Sequence, residues 1–167
     1  MKIFMTGATG VVGTRVVPLL IDAGHTVTAM ARSPENRTLL AELGAAPVEA
    51  SLFDVASLRR VMAGNEVVLN LATSVPSSPT KMMMRSAWRP NDTIRREGSG
   101  AVATAALAAG VTRLVQESFG PMYPDRGDAW IDESTPVAPA AHTESSVDAE
   151  QSAMRFATES GEKPPKT

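Results

Sequence analysis

The chain contains no cysteine. That excludes disulfides, thiolate nucleophiles and any cysteine-ligated metal site. Histidine is almost as scarce: His25 and His142 stand far apart, neither in a metal-ligand spacing, so no metal is expected. Aromatic residues make up 4% of the chain and Tyr123 is its one tyrosine, which leaves a single phenol for acid–base work. A formal net charge of −2 supplies no basic field for nucleic acid. The apolar run after Lys2 is broken at Thr6 and Gly7, too soon for a signal peptide and far too soon to span a bilayer. These absences point to a soluble cytoplasmic protein with no nucleic-acid or membrane partner. With 167 residues it has enough chain for one domain with its own core.

What is present alternates between two periods. Apolar runs of strand length occur at Lys2–Thr6, Thr26–Ala31, Pro47–Ala50, Glu66–Ala72 and Arg113–Glu117. Helical patterns separate them at Val11–Ala23, from Ser33-Pro34 to Leu43, at Val55–Met62, and at Asn91–Ala109. Such alternation favours a parallel sheet covered by helices. Ser33 before Pro34, and Asp54 before Val55, are expected helix caps. Pro18 should weaken the first helix locally, because it removes one hydrogen bond. Gly98 and Gly100 are poor helix formers, so close packing is their expected role. Thr73–Asn91 and Ser118–Ala141 read as loops, and a last helix is expected over Thr143–Thr158. No internal repeat or second domain stands out. One domain over residues 1–160 and a polar tail over 161–167 are expected.

The most informative stretch is Thr6-Gly7-Ala8-Thr9-Gly10-Val11-Val12-Gly13. It joins the first strand to the first helix, with glycines three residues apart. The first glycine permits a sharp turn, the second lets backbone N–H groups approach a diphosphate, and the third lets helix and strand pack closely. The helix N-terminus adds its free N–H groups and dipole. The fold expected is therefore α/β: a Rossmann-like, doubly wound parallel sheet of about five strands in three α/β/α layers. A dinucleotide is the expected ligand, held by Gly7, Thr9, Gly10, Val11, Val12 and Gly13. The end of the second strand selects between coenzymes. An acid there accepts hydrogen bonds from the ribose of NAD, whereas arginine suits the 2′-phosphate of NADP. Here Met30-Ala31-Arg32-Ser33 carries no acid before Glu35. NADP is thus preferred over NAD, with Arg32 and Ser33 as contacts and Asn36 and Arg37 as further donors.

These residues resemble the extended or atypical short-chain dehydrogenase/reductase superfamily, of the NAD-dependent epimerase/dehydratase type. The glycine stretch is similar to that family's TGxxGxxG fingerprint. Val68-Leu69-Asn70-Leu71-Ala72-Thr73 resembles its fourth-strand motif, which implies that Asn70, Leu71, Ala72 and Thr73 lie beside the nicotinamide ribose. Ser51-Leu52-Phe53-Asp54 resembles its DLxD segment near the adenine, with Ser51 in place of the first acid. Asp132-Glu133-Ser134-Thr135-Pro136 resembles its DExxP loop. The resemblance covers roughly residues 1–150.

The family's chemistry rests on a tyrosine and a lysine four residues later, which share a helix face. Four residues after Tyr123 stands Gly127, and the corresponding positions near the last helix hold Thr143 and Val147. Ser118, or Phe119 by a count from Tyr123, falls at the family's serine, and Arg95 at its asparagine. His142 is a substitute acid or base, or else a solvated loop residue. Glu117 is read as structural, or paired with an arginine. Met82-Met83-Met84 with Trp88 is read as a lid, a contact surface or ordinary core. Epimerase-type relatives continue with more strands and a substrate lobe, so the substrate side should be poorly enclosed and the fifth strand left as an edge, which invites a homodimer. Three readings follow: an NADP-dependent reductase, epimerase or dehydratase acting on a small carbonyl or sugar-nucleotide substrate; a non-catalytic dinucleotide-binding sensor; or an inactive fragment.

Overall fold

The computed structural model describes residues 1–132 and 134–161. Five parallel strands form one sheet: β1 (Lys2–Thr6), β2 (Thr26–Met30), β3 (Ala46–Val48), β4 (Val67–Asn70) and β5 (Arg113–Gln116). Their order across the sheet is β3-β2-β1-β4-β5. The chain thus winds outward from β1 in one direction and then, from β4, in the other. In register, Ile3 lies opposite Val27 and Val67, and Phe4 opposite Thr28 and Val68. Strands β2, β3, β4 and β5 end one or two residues before their apolar runs do. There the chains part from their ladders to form loops.

Alternate residues of each strand face opposite layers. Ile3, Met5, Val27 and Ala29 share one core with Val17 and Leu40. These belong to α1 (Gly13–Asp22) and α2 (Pro34–Glu42). Phe4 and Val68 share the other core with Leu58 and Met62 of α3 (Val55–Met62), and with Val102 and Phe156. Each of these side chains larger than alanine contributes about 1.5–3 kcal/mol by leaving water. The caps act locally as expected. Ser33 Oγ accepts from Asn36 N–H, and Asp54 Oδ1 accepts from Ala56 and Ser57 N–H. Pro18 lies inside α1 without ending it.

The two stretches read as loops hold more structure than expected. Residues 73–91 contain α4 (Pro79–Met82) and a 3₁₀ turn over Arg85–Trp88. Trp88 is buried and donates from Nε1 to the Met82 carbonyl at 2.9 Å. That bond gathers the segment around one indole, a contact no local pattern announces. Met82, Met83 and Met84 face outward, with Met83 89% exposed, so they are not core. Residues 118–141 include a 3₁₀ turn over Gly120–Met122.

The long alanine-rich helix begins earlier than its pattern and changes pitch. It runs as α5 (Arg89–Thr93), a π-helical turn over Ile94–Gly98, and α6 (Ser99–Ala108). Gly98 packs on Leu52: a Cβ there would sit 2.8 Å from Leu52 Cδ2. Gly100 has only an ordinary 3.9 Å contact with Ser152, so close packing accounts for one of the two glycines. The last helix, α7, spans Glu144–Ser160 and packs against α6 and β5. Glu133, and residues 162–167 of the expected tail, lie outside the described residues. No described helix is long and apolar enough to cross a membrane.

Candidate functional site

The glycines divide by what they meet. Gly7 has φ +66°, and a Cβ there would lie 2.2 Å from the Leu71 carbonyl oxygen. A Cβ on Gly13 would lie 2.5 Å from the Ala8 backbone. The fold itself therefore requires both. Gly10 is exposed, and its Cβ would meet only the Gly7 oxygen, at 3.2 Å. Its smallness serves whatever approaches from outside. Helix α1 starts at Gly13, two residues later than its apolar pattern, with Val12 as its uncapped N-terminal flank and no acid in its first turn. Among the described residues, the N–H groups of Thr9, Val11 and Val12 find no protein acceptor. Free N–H groups at an uncapped helix start make an anion site. The residues present thus fit a diphosphate.

A cleft of about 670 Å³ opens beside this loop. It crosses the C-terminal edge of the sheet in strand order. Ser51, Leu52 and Phe53 line it after β3, Arg32 and Asn36 after β2, and Gly7, Thr9 and Gly10 after β1. Leu71, Ala72, Thr73 and Ser74 line it after β4, and Pro90, Thr93 and Ile94 close it from the α5 side. The strand order reverses between β1 and β4, and ligands of open parallel sheets bind at that crevice. Arg32 is the one charged residue of the lining, and it has no ion-pair or hydrogen-bond partner among the described residues. Phe53, Thr93 and Ile94 were not singled out from sequence. The last two arrive from a distant helix, and only packing brings them here.

Three expected contacts are engaged elsewhere, the first being Arg37, which pairs with Glu49 outside the lining. Asn70 is 1% exposed and outside the lining. Its Oδ1 accepts from Thr6 Oγ1 at 2.5 Å, and its Nδ2 donates to Gln116 Oε1 and Ser99 Oγ. It ties β1, β4, β5 and α6 together, because a buried amide must satisfy its own groups. Ser33 is also outside the lining, its hydroxyl serving as the α2 cap.

Beyond β5 the polar groups form a second cluster. Arg95, in the π-helical turn, is 1% exposed. It donates to the Glu117 carboxylate at 2.8 Å and to the Glu117 carbonyl at 3.1 Å, and its guanidinium carbon lies 5.8 Å from the Phe119 ring centre. Its Nε is buried with no partner. Burial pushes the Glu117 carboxyl above its ordinary value, against the opposing pull of Arg95. Ser118 Oγ donates to Glu150 Oε1 at 2.5 Å. His142 packs against Trp88 with ring centres 5.1 Å apart and ring planes tilted by 49°. Thr143 is fully buried and donates to the Ala140 carbonyl. Helix α7 carries neither tyrosine nor lysine. Among the described residues, no group of three or more His, Asp or Glu is placed to hold a metal ion.

Comparison with known proteins agrees with this geometry. A family model described as NAD(P)H-binding matches residues 7–158. A 3-diazoavenalumate denitrifying reductase from a Streptomyces species is 32% identical over 145 residues, 82% of this chain and 44% of that protein. A farnesyl-dihydroquinoline-oxide ketoreductase from Stigmatella aurantiaca is 29% identical over 82% of this chain and 39% of its own length. Among solved structures, a short-chain dehydrogenase/reductase superfamily protein from Agrobacterium tumefaciens with bound NAD superposes with a TM-score of 0.71. It is 28% identical, over 94% of this chain and 45% of that one. UDP-glucose 4-epimerase from Thermotoga maritima, at 23% identity, shares the fold with a TM-score of 0.76, over 96% of this chain and 52% of that one. The chain thus spans about half the length of these proteins or less. It belongs to the NAD(P)H-binding family, as a Rossmann domain similar to reductases and to a protein of the short-chain dehydrogenase/reductase superfamily.

Proposed function

We propose that this domain binds NADP(H) in preference to NAD(H), and that it serves reduction of a small carbonyl substrate. One observation carries the coenzyme preference. The cleft lining contains Arg32 and no carboxylate. An NAD site needs a carboxylate to accept the ribose hydroxyls, whereas a 2′-phosphate needs a cation and donors. Arg32, with Asn36 beside it, offers a bidentate fork for that phosphate. Bound NADPH supplies a hydride. The chain's own residues hold the diphosphate at Thr9–Gly13, flank the adenosine side with Leu52 and Phe53, and leave Thr73 and Ser74 toward the reacting end. The reductases among the relatives support the reaction class.

A second reading, a dinucleotide-binding sensor without chemistry, is favoured by the absence of a tyrosine–lysine pair on α7. Titration followed by nicotinamide fluorescence tests the coenzyme preference. Arg32→Asp is expected to weaken NADPH about 10–100-fold, since a hydrogen bond to a charged group contributes about 1.5–3 kcal/mol. NADH affinity should change by less than about threefold, because it lacks the phosphate. Equal losses for the two coenzymes would remove the preference.

A further inference from the structure

We propose that the loop carrying Trp130 docks on segment 81–89 of a second copy of this chain, and that the same contact is made in return about a twofold axis. The contact stands independently of the coenzyme. Two exposed surfaces of opposite charge carry it. The first is the excursion over residues 123–137, closed at its base where Ala138 N–H donates to the carbonyl of buried Met122 at 2.9 Å. Trp130 lies midway along it and is 94% exposed, with Ile131 exposed beside it. A tryptophan gains much by leaving water, and here its own chain offers it no cover. The excursion holds four acids and one arginine. Asp128 has no partner among the described residues.

The second surface is basic. Residues 73–91 hold no acid, but they do hold Lys81, Arg85 and Arg89. Arg85 is paired with Asp92, while the Lys81 and Arg89 side chains have no hydrogen-bond or ion-pair partner among the described residues. Met82, Met83 and Met84 stand exposed among these cations. Buried Trp88 pins the segment through its bond to the Met82 carbonyl. Exposed apolar side chains rimmed by charge mark interaction sites, and methionine sulfur packs favourably against aromatic rings.

Both surfaces spring from one aromatic cluster. Trp88 lies in the basic segment. The rings of Phe119 and His142, on either side of the acidic excursion, have centres 6.2 and 5.1 Å from that of Trp88. The two surfaces therefore share one end of the molecule. Yet among the described residues no hydrogen bond or ion pair joins them within the chain. A twofold axis at that end brings each loop onto the other copy's segment, with indole against methionine and carboxylate against Lys81 and Arg89. Closed twofold pairing is the commonest arrangement of identical chains, and complementary charge fixes its register.

Sedimentation velocity of the full chain tests the contact. The parent should pass from monomer to dimer with a dissociation constant on the order of 10 µM, at the weak end for such interfaces. Its tryptophan emission should shift to the blue as it does so. Trp130→Ala and Met83→Ala should each weaken the dimer about tenfold or more. Asp128→Lys and Lys81→Glu should each weaken it about fivefold. An equimolar mixture of these last two should regain the parental affinity, because every loop then meets a segment of opposite charge. All four changes fall on exposed side chains, so each variant should keep the parental circular dichroism and melting temperature. A parent that stays monomeric up to about 1 mM, a dimer indifferent to Trp130→Ala, a mixture no tighter than its components, or growth beyond a dimer would each overturn the proposal. So would emission already blue-shifted in the dilute monomer, which would assign Trp130 to its own chain. Binding of the parent to phosphatidylserine vesicles without any dimer would give the basic segment to an anionic lipid surface instead.

Discussion

Gly7→Ala is expected to destabilise the domain by more than about 4 kcal/mol, in the range reserved for backbone strain joined to a steric clash. The φ of +66° alone costs a non-glycine residue about 1–2 kcal/mol. The larger part is collision. The new Cβ would lie 2.2 Å from Leu71 O, 2.4 Å from Leu71 C and 2.7 Å from Ala72 N. All three are backbone atoms, so no side-chain rotation relieves the overlap. Relief requires moving the exit of β4 away from β1, which breaks the bond from Leu71 N–H to the Thr6 carbonyl. Gly10→Ala should behave in the opposite way. Its Cβ meets one oxygen at 3.2 Å, so stability should fall by no more than about 1 kcal/mol. NADPH affinity should fall more than about tenfold, because a methyl group would stand between the loop's N–H groups and the diphosphate. Urea unfolding and NADPH titration of the two variants separate the roles. Parental stability in Gly7→Ala would contradict the turn, and parental affinity in Gly10→Ala would contradict the cradle.

Glu117→Ala should cost about 2–3 kcal/mol, by stranding the Arg95 charge in the interior. Removing one partner of a buried pair typically costs about 3–5 kcal/mol. The lower figure applies because the Glu117 side chain is 31% exposed, whereas that of Arg95 is 1% exposed. The double change Arg95→Met with Glu117→Leu should recover most of the loss, since no unpaired charge then remains. A double variant no more stable than Glu117→Ala would mean that the cost lies in packing and not in charge. The same pair predicts a pH dependence. With its folded value raised above the ordinary 4.5, Glu117 binds its proton more tightly in the folded state than in the unfolded one. Its stabilising contribution is complete below pH 4.5 and fades as pH rises through the raised value. Glu117→Gln should flatten the melting temperature against pH just above 4.5. An unchanged slope would assign that dependence to other groups.

How much of this was legible in sequence varies with the range of the interactions. The Ser33 and Asp54 caps were legible because a cap is satisfied within three residues. The expected pairing of Glu117 with an arginine had no visible partner, since Arg95 lies 22 residues away and inside a π-helical turn with no sequence signature. Asn70 shows the opposite failure. A motif suggested a ligand contact, and the buried site imposed its own demand for hydrogen bonds on Thr6, Ser99 and Gln116. Strand ends were read too long because apolar residues continue past the last ladder bond into the walls of the cleft, as at Leu71 and Ala72.

The sequence by itself determined the glycine turn between β1 and α1, the alternation of strands and helices, and the arginine at the end of β2, because each depends on residues adjacent along the chain or on a short fixed spacing. Only the tertiary structure decided which groups meet beyond β5. Ser118 and Glu150 are 32 residues apart, and Trp88, Phe119 and His142 come from three separate segments. Such meetings follow from how helices pack on a sheet, where long-range burial, and not local preference, selects the neighbours.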